Sequence, residues 1–230
     1  MMSGWICDNS REWVNNSTKR NIMMNSFKTQ QEEFWVGEFG NEYSDRNVGE
    51  GWIASNTALF SKILTHCHPA GSLIEFGANI GLNLRAIRSL LPSIELSAIE
   101  INAQAVGQLH DWAEVGHVFH MSILDFVPQR TWDISLIKGV LIHINPNELQ
   151  GVYEKLYQSS NRYIIVAEYY NPSPVEVRYR GHEGKLFKRD FAGELIDKYP
   201  DLRLVDYGFV WRRDPHFPQD DMTWFLLEKR

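Results

Sequence analysis

The sequence predicts a doubly wound α/β fold, and two observations support the prediction. Short apolar runs alternate with helical patterns from residue 72 to residue 199, and two further strand-like runs close the chain. Strands and helices that alternate in this way build a mainly parallel sheet with helices on both faces. Seven strands are expected, at residues 72–77, 94–101, 117–126, 131–144, 162–170, 202–210 and 221–230.

Each helix follows from a local pattern of apolar and capping residues. Before the first strand, Leu59, Phe60 and Ile63 fall on one face of a helix. The helix after the fourth strand is predicted to begin at Pro146, with Asn145 as its N-cap. The other helices are expected at residues 82–91, around 105–112 and at 190–199.

Length and charge restrict the class of protein. A chain of 230 residues fits one domain, predicted at 29–230, with a lid segment at 29–56, a basic substrate-side insertion at 171–190 and a loose polar leader at 1–28. A net charge of −6 argues against a nucleic-acid partner, which requires a concentrated basic surface. No apolar run approaches the ~20 residues of a membrane span, and no signal-like core opens the chain. We therefore expect a cytoplasmic protein without a membrane partner.

Cysteine and histidine usage predicts neither a disulfide framework nor a metal site. The two cysteines, Cys7 and Cys67, are too few for such a framework. His66, Cys67 and His68 are possible metal ligands, but side chains of adjacent residues point apart and no partner cluster occurs elsewhere in the sequence.

The turn after the first predicted strand, with the sequence EFGANIG, is the most informative stretch of the chain. Gly77 and Gly81 permit backbone conformations or close approaches that a Cβ would block. Ligands of open α/β sheets bind beyond the carboxyl ends of the strands. Glu75 lies at that edge, and Glu100 and Asp125 lie at the ends of the next two predicted strands. The alternative is that the glycines form only a tight strand-to-helix turn.

These strand-end acids indicate the kind of ligand. A dinucleotide site requires Gly-x-Gly-x-x-Gly and a helix N-terminus that holds a pyrophosphate, whereas here Glu75 opens the turn and would repel phosphate. An acidic entrance suits a cationic ligand that carries an α-amino group and a sulfonium. Glu100 is positioned to accept hydrogen bonds from two ribose hydroxyls, and Asp125 to accept a hydrogen bond from the adenine amino group. A nicotinamide-dependent dehydrogenase remains an alternative.

The turn and the acids resemble those of the class I S-adenosylmethionine-dependent methyltransferases, whose first motif is Glu/Asp-x-Gly-x-x-x-Gly. The resemblance implies a Rossmann-like sheet of seven strands with the last strand antiparallel, and S-adenosyl-L-methionine as cofactor. It implies that the turn lines the methionine moiety, that Glu100 holds the ribose and that Ser122, Ile123 and Asp125 flank the adenine. The cofactor-binding residues expected on this basis are Tyr43, Arg46, Glu75, Gly77, Asn79, Gly81, Glu100, Ile101, Ser122, Ile123, Asp125, Lys138 and Gly139.

Longer segments extend the pattern from about Gln30 to Lys229: FWVGEFGNEYSDRN, KGVLIHINP, EYYNPSPVEVRYRGH, LFKRDFAGEL and DDMTWFLLEK. Together they resemble the pseudaminic acid biosynthesis-associated methylases, bacterial proteins found with nonulosonic-acid and surface-glycan genes. The resemblance implies a methyltransferase for a sugar or glycan precursor, such as an anionic nonulosonic (pseudaminic) acid or a nucleotide-linked sugar. A methylase for a peptide or another small acid, and a non-catalytic cofactor-binding scaffold of a glycosylation pathway, remain alternatives.

Two residues are catalytic candidates. His143 lies at the carboxyl end of the fourth predicted strand, where acceptor and methyl group would meet, and its unperturbed pKa near 6.5 suits a general base. The alternative is a structural histidine that fixes the turn before Asn145. Glu168 lies near the end of the fifth predicted strand, and we expect it to face an acceptor together with Tyr169, Tyr170 and Asn171; packed aromatics and an Asn-Pro turn are the alternative.

Two further segments are predicted to flank the site. In the lid, Arg46 is predicted to meet the cofactor carboxylate beneath aromatic residues that include Trp35, Phe39 and Tyr43, although the aromatics would equally staple the segment to the core. The insertion is locally basic, and arginine matches carboxylates and phosphates, so an anionic acceptor is expected there. A solvated loop is the alternative. The basic residues are Arg178, Arg180, Lys185, Lys188 and Arg189.

Overall fold

The computed structural model describes residues 27–112 and 114–230, so most of the predicted leader lies outside the described residues. The helices are α1 (Gln30–Val36), α2 (Glu38–Arg46), α3 (Glu50–Leu64), α4 (Leu82–Leu90), α5 (Ala103–Trp112), α6 (Leu149–Ser159) and α7 (Phe191–Lys198). The strands are β1 (Ser72–Phe76), β2 (Glu95–Glu100), β3 (His117–His120), β4 (Trp132–Lys138), β5 (Ser160–Glu168), β6 (Val175–Glu176), β7 (Phe187–Lys188), β8 (Leu202–Val210) and β9 (Met222–Lys229).

The main sheet has seven strands in the order β3-β2-β1-β4-β5-β9-β8. Strand β9 pairs antiparallel with β5 and with β8, while the other pairings are parallel. The predicted doubly wound sheet with an antiparallel last strand is therefore confirmed. The strand order reverses between β1 and β4, which is where open α/β sheets bind their ligands.

Helices cover both faces of the sheet, because the central parallel strands are apolar on both sides. Leu73 of β1 packs in the cluster that contains Leu59 of α3 and Leu84 of α4. Its neighbour Ile74 packs in the opposite cluster, with Leu156 of α6. Within the described ranges, no helix is long and apolar enough to cross a membrane.

Several element boundaries differ from the sequence-based prediction. Strand β4 ends at Lys138 rather than at residue 144, because Leu141–His143 form a short 3-10 helix. Helix α6 begins at Leu149 rather than at Pro146, because Asn145 closes a separate turn: its Oδ1 accepts from the Asn147 amide (3.0 Å) and its carbonyl accepts from the Glu148 amide (2.8 Å). Strand β3 ends at His120 instead of residue 126, because the Asp125 amide donates to the Ser122 carbonyl (3.1 Å) and closes a turn.

The lid segment and the insertion contact each other. Helix α1 begins with a capping box in which Thr29 and Glu32 exchange hydrogen bonds (3.2 and 2.8 Å). Gln31 Nε2 donates to the Gly184 carbonyl (2.8 Å), and Lys185 Nζ donates to the Gln30 carbonyl (2.9 Å). These two segments therefore form one layer.

Gly77 occupies a position that requires glycine. Its φ is +77°, and a Cβ there would lie 2.7 Å from Val140 Cγ2. Gly77→Ala should lower the free energy of unfolding by about 1–3 kcal/mol, because backbone strain and the clash add. Urea denaturation measures the change, with Gly107→Ala as the control. Gly107 is exposed in mid-helix α5 with open space around it, so that variant should gain about 0.5–1 kcal/mol. A loss of similar size in both variants would contradict the account.

Candidate active site

A cavity of about 400 Å³ lies at the carboxyl ends of β1, β2 and β4, with residues of the lid and the insertion along its wall. The volume lies within the range of small-molecule sites. The structure brings twelve of the predicted site residues together along this cavity: Tyr43, Gly77, Asn79, Glu100, Ile101, Ser122, Ile123, Lys138, Gly139, His143, Tyr169 and Arg180.

Glu100 connects the turn after β1 to the loop after β2. Its Oε2 accepts from the Asn79 amide (2.7 Å) and its Oε1 accepts from the Asn102 amide (2.8 Å). The side chain is 7% exposed, and burial raises the pKa of its carboxyl against the opposing effect of the backbone amides. Asn79 adopts a positive φ of 47°, and its Oδ1 accepts from Ser44 of the lid (2.7 Å). The acid predicted for the ribose therefore lies at the cavity wall.

Glu75 and Gly81 do not line the cavity. Glu75 is fully buried, its Oε1 accepts from Asn83 Nδ2 (2.6 Å), and burial raises the pKa of its carboxyl to about 8. A Cβ on Gly81 would lie 2.7 Å from Leu109 Cδ2, so this glycine permits close packing of α4 against α5. We predicted that these two residues contact the ligand directly. In the structure they instead pack beneath the turn and support it.

Asp125 also lies outside the cavity, which corrects its predicted position at a strand end. Because β3 stops at His120, Asp125 falls in the following turn, where its carboxylate pairs with Lys28 (2.5 Å) and is half exposed. Ser122 and Ile123 do line the cavity. The acid that lies beside Ser122 is Glu32 of the lid, whose buried carboxylate accepts a hydrogen bond from the Ser122 hydroxyl.

The lid contributes Tyr43 to the cavity but not Arg46. Arg46 pairs with Glu42 (3.1 Å) one helical turn away, and its guanidinium lies 5.6 Å from the centre of the Phe39 ring. Asn102 instead connects the lid to β2, since its Nδ2 donates to Asn41 Oδ1 (2.8 Å) and to the Trp35 carbonyl (3.2 Å).

Lys138 ends β4, and its half-buried side chain lines the cavity. Burial lowers the pKa of its amine, while Glu75, Asp220 and Glu168 act in the opposite direction. Gly139, the next residue, has a φ of +68° and turns the chain towards the segment that carries His143.

His143 is fixed in orientation by a backbone carbonyl. Its Nδ1 lies 2.6 Å from the Lys185 carbonyl oxygen, which requires the proton on Nδ1 and leaves the Nε2 lone pair free. The ring lies between Trp35 and Tyr179, at centroid distances of 4.7 and 4.9 Å. Burial lowers the pKa of His143 to about 4, so the imidazole is neutral near pH 7. The side chain is 7% exposed and lines the cavity.

Glu168 supports the loop that carries His143 rather than lining the cavity. Its Oε1 accepts from the amides of Val140 (2.9 Å) and Leu141 (2.8 Å), and the residue is buried. Burial raises the pKa of its carboxyl to about 7, against the effect of these amides. The geometry gives Glu168 a positioning role, because a carboxyl held beneath the loop does not face an acceptor as predicted.

On the acceptor side, Tyr169 and Arg180 line the cavity. The Tyr169 hydroxyl donates to Asp220 Oδ2 (2.8 Å), and burial together with this carboxylate raises the pKa of the phenol. Arg189 pairs with Glu194 (2.6 Å), Lys188 lies over the Tyr169 ring, and Arg178 donates to the Gly181 carbonyl. The predicted acceptor residues that do not line the cavity are Tyr170, Asn171, Arg178, Lys188 and Arg189.

Sequence reasoning missed several residues that line the cavity. Glu32 had a visible signal, the Thr-x-x-Glu capping pattern that begins at Thr29. The amides and Asp220 carried no motif, because they come from segments that meet only in the folded chain. The missed polar residues include Glu32, Asn56, Asn83, Asn102, Gln219 and Asp220.

Comparison with known proteins identifies the fold. No protein-family model and no curated protein matches the chain. It is similar to the magnesium protoporphyrin IX methyltransferase of Synechocystis PCC 6803 with bound SAM, at 11% identity and a TM-score of 0.64, over 90% of this chain and 100% of that chain.

Two further structures give the same result. The 1,6-didemethyltoxoflavin-N1-methyltransferase of Burkholderia thailandensis matches at 13% identity and a TM-score of 0.62, over 95% of this chain and 92% of that chain. The plantazolicin methyltransferase BpumL, in complex with SAH, matches at 15% identity and a TM-score of 0.60, over 93% of this chain and 100% of that chain. The chain therefore has the Rossmann-like class I methyltransferase fold that its first motif implied.

The buried imidazole of His143 makes stability depend on pH. The unfolded histidine has a pKa near 6.5 and the folded one about 4, so between these values the unfolded chain binds the proton and the native chain does not. This contribution should lower the free energy of unfolding by about 1 kcal/mol on going from pH 7.5 to pH 5.5. The variant His143→Asn can still donate its amide to the Lys185 carbonyl but does not titrate. Urea denaturation should show that its free energy of unfolding changes by about 1 kcal/mol less between these pH values than that of the wild type. An unchanged pH dependence in the variant would show that His143 does not titrate as stated.

Proposed function

We propose that the chain is an S-adenosylmethionine-dependent methyltransferase of a small-molecule acceptor. The observation that carries the proposal is the cavity at the point where strand order reverses, with a glycine turn held at its edge by the Glu100 carboxylate. The fold is shared with methyltransferases that were crystallised with SAM or SAH. Beyond the shared fold, the proposal adds that this chain catalyses methyl transfer to an acceptor of its own.

The residues along the cavity fit the proposed cofactor. Glu100 retains lone pairs for ribose hydroxyls beyond its two amide bonds. Ser122 and Ile123 provide a small, partly apolar wall for the adenine, and Gly77 and Asn79 border the methionine moiety. When bound, the cofactor supplies a methyl group on a sulfonium, an electrophile whose leaving group is a neutral thioether.

We assign His143 the role of general base towards a hydroxyl or amine acceptor. Because burial lowers its pKa to about 4, the imidazole is unprotonated near pH 7 and is a weaker base than a free histidine. The Nδ1–H bond to the Lys185 carbonyl fixes the tautomer, so Nε2 is available to take the acceptor proton. Glu168 holds the Val140 and Leu141 amides and so positions the loop. Residues of the lid and the insertion line part of the cavity, and displacement of water from it on ligand binding would strengthen the interactions inside it.

For the acceptor, we propose an anionic sugar acid or a nucleotide-linked sugar, as the family resemblance implies. The support is that two basic side chains, Lys138 and Arg180, line the cavity, and arginine suits a carboxylate. Aromatic side chains at Tyr43, Tyr169 and Tyr179 provide flat surfaces and hydroxyls beside them. The solved neighbours have other substrates, among them a porphyrin and a toxoflavin precursor.

Isothermal titration calorimetry tests the cofactor assignment. The chain should bind S-adenosylhomocysteine and not NAD. Glu100→Gln should weaken that binding at least tenfold, because a charged hydrogen-bond acceptor contributes roughly 1.5–3 kcal/mol. The control is Asp125→Asn, the other strand-end acid expected from the sequence, which lies outside the cavity and should bind as the wild type does. Binding of NAD alone would favour a dehydrogenase, and equal affinity in all three proteins would remove the ribose assignment.

A screen with labelled S-adenosylmethionine and candidate acceptors tests catalysis. Sugar acids and nucleotide sugars, peptides and other small acids form its three arms. Label in the first arm supports the proposed acceptor, and label in another arm selects the rival substrate class. Tight cofactor binding without label in any arm would indicate the non-catalytic scaffold.

The acceptor found in that screen then tests His143. His143→Asn retains the donor to the Lys185 carbonyl and loses the Nε2 base, so kcat should fall about 10²–10³-fold. The KM for S-adenosylmethionine should change less than about threefold. A variant with wild-type kcat would restrict His143 to a positioning role.

A further inference from the structure

The insertion carries Arg180 at the tip of a two-residue turn, at the wall of the cavity. Tyr179 and His182 flank this turn and exchange two backbone hydrogen bonds of 2.8 Å. Its central residues, Arg180 and Gly181, both have a positive φ, of 47° and 91°. Such values are typical of type I′ turns, which favour glycine, asparagine and aspartate. An arginine is strained in this conformation, and strain of this kind is concentrated at functional sites.

Contacts distinguish Arg180 from the other basic residues of the insertion. Among the described residues, the Arg180 guanidinium makes no hydrogen bond or ion pair, and it lies 5.8 Å from the centre of the Tyr179 ring. The other four each contact a backbone carbonyl, an aromatic ring or a carboxylate, and none of them lines the cavity: Arg178, Lys185, Lys188 and Arg189. Arg180 is therefore the basic residue of the insertion that is available to a ligand in the cavity.

The charge of Arg180 acts on the acceptor side of the cavity. Burial raises the pKa of the Tyr43 phenol, and the Arg180 guanidinium acts in the opposite direction. Tyr43 and Tyr179 both line the cavity, and the Tyr179 ring lies 4.9 Å from the ring of His143, the proposed base. An acceptor whose anionic group binds to Arg180 would therefore lie beside the base.

The ionisable residues along the cavity favour an acceptor with a single anionic group. Lys138 is the other basic residue of the wall, and three carboxyl groups of the chain act on it: Glu75, Asp220 and Glu168. Three acids line the cavity: Glu32, Glu100 and Asp220. A second anionic group, such as the phosphate of a nucleotide-linked sugar, would lose its water without a free cation in return, which is costly. One carboxylate, by contrast, matches the paired N–H donors of one guanidinium.

We propose that Arg180 determines the specificity of the acceptor site by binding the single carboxylate of a free sugar acid. The inference rests on the proposed function and narrows its acceptor class, since it excludes the nucleotide-linked sugar. It also explains why an arginine occupies a turn position that favours glycine or asparagine.

Isothermal titration calorimetry, with the full chain saturated with S-adenosylhomocysteine, compares three probes. N-acetylneuraminic acid carries one carboxylate, its methyl ester carries none, and its cytidine monophosphate conjugate carries a phosphate in addition. The acid should bind about tenfold or more tightly than the ester, because the ester loses a charged hydrogen bond, and no more weakly than the conjugate. An ester that binds as tightly as the acid, or a conjugate that binds more tightly, would overturn the proposal.

The variant Arg180→Asn tests the residue itself. Asparagine before Gly181 suits a type I′ turn, so the variant should unfold at a urea concentration equal to or above that of the wild type. Its affinity for the acid should fall about tenfold or more, while its affinity for the ester should change less than about twofold. Weakening of both probes to the same extent would mean a structural role and would overturn the proposal.

Lys188→Gln is the matched control, because it removes a positive charge from the same insertion at a residue that does not line the cavity. This variant should bind the acid as the wild type does. An equal loss of affinity in Lys188→Gln and Arg180→Asn would show that the general charge of the insertion attracts the acid, which would overturn the assignment to Arg180.

The outcomes also separate this inference from the proposed function. Binding of S-adenosylhomocysteine, measured before the probes are added, tests the cofactor assignment alone. If the chain binds S-adenosylhomocysteine but none of the three probes, the sugar-acid acceptor and the role of Arg180 fail together, while the cofactor assignment stands. If the acid and the ester bind with equal affinity, the sugar acceptor stands and only the role of Arg180 is overturned.

Discussion

The rest of the site depends on the two hydrogen bonds that the Glu100 carboxylate accepts from backbone amides. One oxygen holds the Asn79 amide in the turn after β1, and the other holds the Asn102 amide in the loop after β2. A buried carboxylate is costly without such bonds, so both loops are fixed together. From there, Asn79 bonds to Ser44 and Asn102 bonds to Asn41, which brings α2 to the cavity. One side chain at the end of β2 thus determines the shape of the floor and the position of the lid.

The lid and the insertion connect the two halves of the site. On the cofactor side, Glu32 of α1 accepts from Ser122 after β3. On the acceptor side, the same helix contacts the insertion through Gln31 and Gly184, and the next insertion residue holds the His143 ring through its carbonyl. Packing of the lid therefore determines the orientation of the proposed base, although the lid precedes the sheet in sequence.

Much of the fold could be predicted from the sequence, because strand and helix periods and the glycine turn are local signals. The seven strands were predicted from such patterns, and the antiparallel last strand was predicted from the resemblance to class I methyltransferases. Positions that depend on long-range packing could not be predicted. Asp125 was expected at a strand end, but β3 stops at His120, and the Asp125 side chain is exposed to solvent beside Lys28. Glu168 was expected at the acceptor, yet the amides after β4 hold it beneath the loop. Gln219 donates to the Ser55 carbonyl across 164 residues, a contact that leaves no motif in the sequence.

The central claim is that this edge of the sheet, organised by Glu100, binds S-adenosylmethionine. A crystal structure of the chain with S-adenosylhomocysteine measures it most directly. We expect the ribose hydroxyls within about 3.2 Å of the Glu100 carboxylate. The adenine should lie beside Ser122 and Ile123, and the methionine moiety should lie along Gly77. A ligand bound elsewhere on the chain, or a Glu100 carboxylate that makes no contact with the ribose, would contradict the account.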